Sequence, residues 1–372
     1  MKLIEKEDYA HNLLIPFVAE TQRLLDCTLK SIDSNAECKI TPAVDLGFPH
    51  DVIRIAGGFP TGVFVEWKCN TPFIPIDTTV NIDTSSIFYL DDDITDVIDE
   101  NTFSELRSKI ENSSYVFNFH KGNHFISFGH SVEKNCPVLV IHSNEKEFKY
   151  QYNGLMPAKD NWYANDINIY QEGNRYMRYL KGNKAELFID IAKMLEDFNI
   201  VRHRFIAHLL TNRKTKIKNQ FDKHHYYMPT RNSVAIGCFL VSEKEEVPIF
   251  SKVGEDIFIF KPLQGGENKI ITLNEMTERL IVPHGWGKTC DKDICFEIDS
   301  ENKQFFLSGK SYPIEALISL GKDERLTIRN FSSDPTSSES IFEQMKKHCP
   351  GTVIERIIQK SSYTKYGFQK HF

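Results

Sequence analysis

Between Tyr115 and His142 the chain carries three short strand-like runs, the mixed runs 116–120 and 123–130 and the apolar run 138–142. A period of two belongs to extended backbone, where successive side chains project to opposite faces, so this stretch must form strands and find sheet partners elsewhere. Within the middle run His124, Ile126, Phe128 and His130 share one face, and Phe125 and Ser127 share the other. One face of the predicted strand therefore carries two imidazoles.

The strand pattern also covers residues 38–90, where apolar runs at 52–56, 61–67 and 87–90 are punctuated by Gly57-Gly58-Phe59-Pro60. Residues 1–36 contain a predicted helix over 19–29. Residues 160–210 read as a helical block: 167–180 is interrupted by Gly173, and 184–198 carries an apolar stripe of Leu187, Ile191, Met194, Leu195 and Phe198, assigned to the core. Strand-like sequence returns over 233–262 and near Leu280 and Phe305. Asp91-Asp-Asp93 reads as a solvated surface, and Arg213-Lys-Thr-Lys-Ile-Lys218 as either solvated chain or a patch for an RNA backbone. With no repeat or linker, the 372 residues are expected to form one interwoven α+β domain with mixed and antiparallel sheets.

Composition narrows the function classes. The net charge is 45 − 51 = −6, which argues against a broad non-specific nucleic-acid binder while leaving room for a local basic cleft. No apolar run approaches the roughly 20 residues of a bilayer span, so no membrane partner is expected. The acidic, polar start Met1-Lys-Leu-Ile-Glu-Lys-Glu-Asp lacks the features of a signal peptide, and the eight cysteines are scattered without a Cys-x-x-Cys pair. Both point to a cytoplasmic protein with reduced thiols.

Four of the 13 histidines, His124, His142, His225 and His284, lie at the edges of apolar strands or beside glycines. Imidazole is the commonest metal ligand, and a strand ending at a cleft can present one with little loss of entropy.

These histidines sit in short motifs. Gly122-Asn-His-Phe-Ile126 resembles the Gly-Asn-His-Phe-Ile-Glu motif of the RtcB family of RNA ligases, and Val140-Ile-His-Ser143 resembles that family's next histidine strand. Asp222-Lys-His-His225 resembles its Asp-x-x-His-Asn motif, and Pro283-His-Gly-Trp-Gly-Lys288 its His-Gly-Ala-Gly-Arg motif. Upstream, Thr41-Pro-Ala-Val-Asp-Leu-Gly47 resembles Met-Pro-Asp-x-His-x-Gly, and residues 75–84 resemble Pro-Ala-Ala-Val-Gly-Val-Asp-Ile-Gly-Cys. The order matches the family's order over residues 38–290. The resemblance implies one domain over 1–372 with an N-terminal helical segment (1–36), a motif-bearing core (38–290) around a central histidine-lined cleft, and a C-terminal extension (291–372).

The family joins RNA ends bearing 2′,3′-cyclic or 3′-phosphate to 5′-hydroxyl ends with GTP and manganese, through a guanylylated histidine. Carried over, the nucleophile falls on His284, the metal-binding imidazoles on His124, His142 and His225, and phosphate contacts on Asn123, Arg231 and Lys288. His224 is the fallback for His225, and Arg231 fits a surface salt bridge equally well. RNA ends and a nucleotide are the implied partners, with no DNA. The aromatic, basic C-terminus from Tyr363 to Phe372 reads as a packed tail, or as one that closes over a base.

The sequence departs from the motifs at informative places. The family's aspartate and cysteine metal ligands fall on Asn81 and Thr84, its guanine-reading glutamate on Ser127, its Pro-Gly-Ser-Met-Gly loop on residues 250–254, and its arginine after the nucleophile on Lys288. Asp83 lies between Asn81 and Thr84, but a one-residue shift along a strand points to the opposite face. The expectation is one divalent ion, manganese or else zinc, held by three imidazoles with His284 across a cleft. The alternative is a catalytically silent relative that binds RNA or a protein through the same cleft. Histidines scattered through the fold would end the assignment.

Overall fold

The structure, a computed structural model, describes residues 8–49, 52–113, 115–120, 122–144, 155, 161–250, 252–285, 287–290, 294–299, 302–313, 324–329 and 341–371. The motif positions Ser251 and Trp286 lie outside the described residues. The architecture is α+β, with a central antiparallel sheet of 11 strands. In chain order these are β1 (Glu37–Gly47), β2 (Thr61–Lys68), β3 (Asp83–Leu90), β4 (Phe125–Ser131), β5 (Cys136–Ser143), β6 (Ile217–Tyr227), β7 (Ser233–Ile236), β8 (Val247–Ile249), β9 (Ile257–Pro262), β10 (Gly351–Thr364) and β11 (Gly367–Lys370). The spatial order is β1-β2-β7-β6-β3-β5-β4-β10-β9-β8, with β11 on the edge of β10.

The second and third of the predicted runs form β4 and β5, paired antiparallel from Phe125 opposite His142 to Ser131 opposite Cys136, whereas residues 116–120 are irregular chain and turn. β3 is buried along its whole length because both faces are covered, which is why it carries small and apolar side chains without a solvent-facing alternation. On one face Ile126, Phe128, Leu139 and Ile141 pack with Phe103 and Leu106 of a helix at Glu100–Glu111. On the other, Phe125, Val138 and Val140 pack with Ile257 and Ile259 of β9.

Four helices frame the part of the sheet that matters here: α1 (Tyr9–Lys30), α2 (Val52–Ala56), α3 (Glu100–Glu111) and α4 (Asn183–Thr211). α1 begins ten residues before the predicted start because Asp8 caps it, its carboxylate accepting from the His11 amide at 3.2 Å. No helix among the described residues is long and apolar enough to cross a membrane.

Two sequence expectations are corrected. Residues 167–180 are not helical: Asn168–Glu172 and Arg175–Lys181 form a hairpin that turns at Gly173, whose φ of +56° suits the left-handed turn. The predicted core stripe of α4 is only partly buried, since Leu187 and Met194 are 47% and 71% exposed while Phe188, Ile189, Ala192, Asn199 and His203 face inward. The C-terminal residues are packed, as the tail reading had it. β10 lies between β4 and β9, inside the central sheet, and Tyr363 stacks on Phe103 at 4.3 Å.

Candidate functional site

The motif histidines meet on one side of the sheet. His142, at the end of β5, sits opposite Ser85 of β3 and Phe125 of β4, and Phe125 stacks on its ring at 5.2 Å. His225 arrives through a bulge in β6: Asp83 pairs with Tyr226 and Thr84 with His224, so His225 is the extra residue. Its carbonyl accepts from the Gly237 amide at 2.7 Å. His284 follows the strand Glu278–Pro283 and is fixed by its own carbonyl, which accepts from the Phe250 amide at 2.9 Å. Gly285 comes next with φ +90°, and a Cβ there would run into the Phe250 carbonyl.

The four rings form a row, with centroids 6.5 Å apart for His124–His142, 5.2 Å for His142–His225 and 5.2 Å for His225–His284. All four residues are 5% exposed or less. His284 thus stacks directly on His225 instead of facing it across a cleft.

Asp83 completes the centre. Ligand atoms of Asp83, His142 and His225 lie within 4.8 Å of one another. Alternation holds at this point, since Thr84 turns to the α4 side and its neighbour Asp83 to the site; the expectation went astray in setting the motif's ligand position at Thr84 on the site face, and the β6 bulge brings His225 to the face of Asp83. The Nε2 atoms of His142 and His225 are 3.3 Å apart. Two metal–nitrogen bonds of about 2.0–2.1 Å meeting at a tetrahedral angle separate their nitrogens by about 3.3 Å, so the pair already has the edge length of a zinc-like shell. Burial, and then the charge of His284, pushes His142 down to about 3. Burial and the neighbouring imidazoles push His225 well below its ordinary value. Both rings are therefore neutral at pH 7, the form that ligates a cation. The buried His225 Nδ1 and Ser85 Oγ have no hydrogen-bond partner among the described residues. Two imidazoles and a carboxylate fit a divalent first-row ion.

The expected third imidazole ligand, His124, is placed differently. Its Nδ1 donates to the Asn118 carbonyl at 2.7 Å, and its Nε2 faces the Asn144 amide at 3.4 Å. It therefore flanks the Asp83, His142 and His225 cluster, whose third ligand is the carboxylate.

At the other end of the row, His284 Nδ1 donates to Asp45 Oδ2 at 3.2 Å, and the Gly285 amide donates to the same oxygen at 3.2 Å. A carboxylate can only accept, so Nδ1 carries a proton, and in the neutral ring the lone pair lies on Nε2. Asp45 Oδ1 is buried without a hydrogen-bond partner among the described residues.

The other predicted contacts divide. Asn123 precedes His124, and its backbone carbonyl lies against the His142 ring. Lys288 is buried, four residues beyond His284. Arg231 is elsewhere: it sits in the β6–β7 turn and pairs with Asp190 at 2.6 Å and Glu186 at 3.7 Å on α4, at the surface. Its neighbours are carboxylates, which removes it from the phosphate contacts. Ser127 is buried, and its hydroxyl donates to the Ser361 carbonyl at 2.9 Å.

Thr84 and His224 face the back of the sheet, where α4 supplies a polar layer the sequence reading missed. Asn199 Nδ2 donates to the Ile82 carbonyl at 3.0 Å, to Thr84 Oγ1 at 2.6 Å and to the Ser143 carbonyl at 3.0 Å. Arg202 Nη2 donates to Ser143 Oγ at 2.8 Å and to the Asn144 carbonyl at 2.6 Å. One helix thereby pins the chain on both sides of Asp83 and just after His142. The available signal was the polar spacing Glu196, Asn199, Arg202 and His203 within an otherwise apolar helix.

Fold and site together define an α+β protein with a buried Asp–His–His candidate metal centre beside an Asp–His dyad. No family model matches the chain, and no curated protein matches it.

Proposed function

We propose that the chain is a metal-dependent RNA-end-joining enzyme of the RtcB type, which carries a nucleotide on His284 and seals an RNA 3′-phosphate or 2′,3′-cyclic phosphate to a 5′-hydroxyl. The observation that supports this reading is the convergence of His124, His142, His225 and His284, from motifs spread over 160 residues, into one row of neighbouring rings. Unrelated histidines have no reason to stack.

In this reading Asp83, His142 and His225 hold the divalent ion, manganese or else zinc, with His124 alongside. When bound, the cation neutralises phosphate oxygens and helps to orient in-line attack. Asp45 keeps a proton on His284 Nδ1, so that the neutral ring presents its Nε2 lone pair as the nucleophile. Nε2 then attacks the α-phosphorus of GTP, the bond to the β-phosphate oxygen breaks, and pyrophosphate leaves. Asp45 also stabilises the positive charge that develops on the ring, in the way a carboxylate partner supports a catalytic imidazole. Asn123, next to His124, is the phosphate contact of the motif in this scheme. Ser127 does not read guanine, because its hydroxyl is engaged with Ser361. RNA ends and a nucleotide are the partners, with no DNA, in the cytoplasm.

The test is covalent labelling with α-labelled GTP and manganese. An acid-labile adduct on the wild type that is absent from His284→Ala supports the proposal. A wild-type chain that binds metal yet forms no adduct with any divalent ion would leave the non-catalytic reading, a relative that binds RNA or protein through this site.

A further inference from the structure

We infer that Arg54 is an anion-binding residue of this site, placed to take a phosphate group of the substrate. The inference deepens the reading above and rests on it for the ligand's class, but its physical basis is separate. Arg54 lies on α2 and is 3% exposed. Its Nε donates to Thr79 Oγ1 at 2.7 Å, and its guanidinium lies over the Tyr226 ring at 4.9 Å from the centroid. Among the described residues it forms no ion pair with a carboxylate. The other buried arginines are held in different ways: Arg329 pairs with Asp8 at 2.6 Å, while Arg202 donates to Ser143 Oγ and the Asn144 carbonyl within the polar layer of α4.

A buried charge without a counter-charge is costly, and proteins retain one where a ligand supplies the opposite sign. The location identifies the ligand. Tyr226 follows His225 directly, and its ring meets His225 at 5.6 Å and His284 at 5.9 Å, both edge to face. Arg54 therefore stands one aromatic ring away from the candidate nucleophile. A guanidinium presents paired donors that match phosphate oxygens, a fork that Lys288 lacks. Arg54 lies outside the family motifs. Two sources carry the required anion, the phosphates of a nucleotide and the terminal phosphate of an RNA strand.

The experiment measures equilibrium binding to the full chain of GTP in one arm, and in the other of a short RNA ending in a 3′-phosphate against the same RNA ending in a 3′-hydroxyl. The proteins are wild type, Arg54→Met, Arg54→Lys and, as a surface control, Arg231→Met. Arg54→Met is expected to lose at least tenfold in affinity in one arm, which names the source, with partial recovery in Arg54→Lys and no change in Arg231→Met. Without ligand, Arg54→Met is expected to melt no lower than the wild type, because it removes an uncompensated charge. Should Arg54→Met fail to fold, Arg54→Lys carries the test, with a severalfold loss expected from losing the fork. Equal binding by wild type and the folded Arg54 variants in both arms overturns the inference, as does a wild type that binds neither probe. None of these readouts needs an adduct on His284, so phosphate binding that depends on Arg54 without labelling would sink the nucleotidyl reading alone, and labelling without such dependence would sink the inference alone.

Discussion

His203 shows how far hydrogen-bond bookkeeping alone can fix a protonation state. Ser86 Oγ donates its single proton to Asp222 Oδ1 at 2.5 Å, so it must accept from His203 Nδ1 at 2.9 Å. The neutral ring then accepts at Nε2 from Ser143 Oγ at 2.7 Å, and Ser143 in turn accepts from Arg202. Burial, and then the Arg202 charge, holds His203 well below its ordinary value of 6.5. The unfolded chain consequently takes up a proton on acidification that the folded chain refuses. Stability is complete above about pH 6.5 and falls as the pH drops below it, by about 1.4 kcal/mol per pH unit for this group. Urea midpoints at pH 7 and pH 5.5 should lie closer together in His203→Gln than in the wild type; equal acid slopes would contradict the assignment. At the dyad, Asp45→Asn should slow adduct formation on His284 at least tenfold while metal content stays unchanged. The four histidines were legible in the sequence because each sits in a motif at a strand edge. Asp83 was not, because the motif alignment set the ligand positions on Asn81 and Thr84, and the bulge at His225 that faces it toward Asp83 leaves no local signal.

At the scale of elements, α4 determines whether the site holds its shape. A helical wheel drawn from apolar residues alone captures only part of the buried face: Ile191 and Leu195 pack on the core, but the chain also buries Asn199, Arg202 and His203 and leaves Leu187 and Met194 in solvent. The pattern failed because buried polar groups are stabilised by specific partners, and those partners belong to β3 and β5, more than 50 residues away in sequence. Replacing Asn199 with Leu leaves the Ile82 and Ser143 carbonyls without their amide donor. The expected cost is about 1–3 kcal/mol of unfolding free energy, with a weakened affinity for divalent ions. Denaturant unfolding and cobalt titration check the two effects, and a folded Asn199→Leu with the wild-type cobalt spectrum and affinity would separate α4 from the site. The hairpin at residues 168–181 was missed for a related reason: its apolar residues fit helical spacing, and only the Gly173 turn marked the reversal.

For the whole molecule, the sheet order decides which segments are dispensable. β10 bonds to β4 on one side and β9 on the other, so the last 22 residues hold together two parts of the chain that the sequence presents as a finished core. Truncation after Pro350 should abolish cooperative unfolding by circular dichroism, whereas a detachable tail would leave it intact. Strand content and the α+β class followed from local patterning, and the meeting of the histidines from the motif resemblance. The placement of the C-terminal strand did not, because long-range pairing leaves no local periodicity to read. The sheet also explains why the centre is closed: β3 lies between β5 and β6, so Asp83, His142 and His225 come from three adjacent strands in the sheet's interior. That three-strand centre is the central claim, and elemental analysis of the purified chain grown with manganese and zinc tests it most directly. The account predicts about one divalent ion per wild-type chain, lost from both His142→Ala and Asp83→Asn with the fold retained. A metal-free wild type, or variants that keep the full complement of ion, would contradict it.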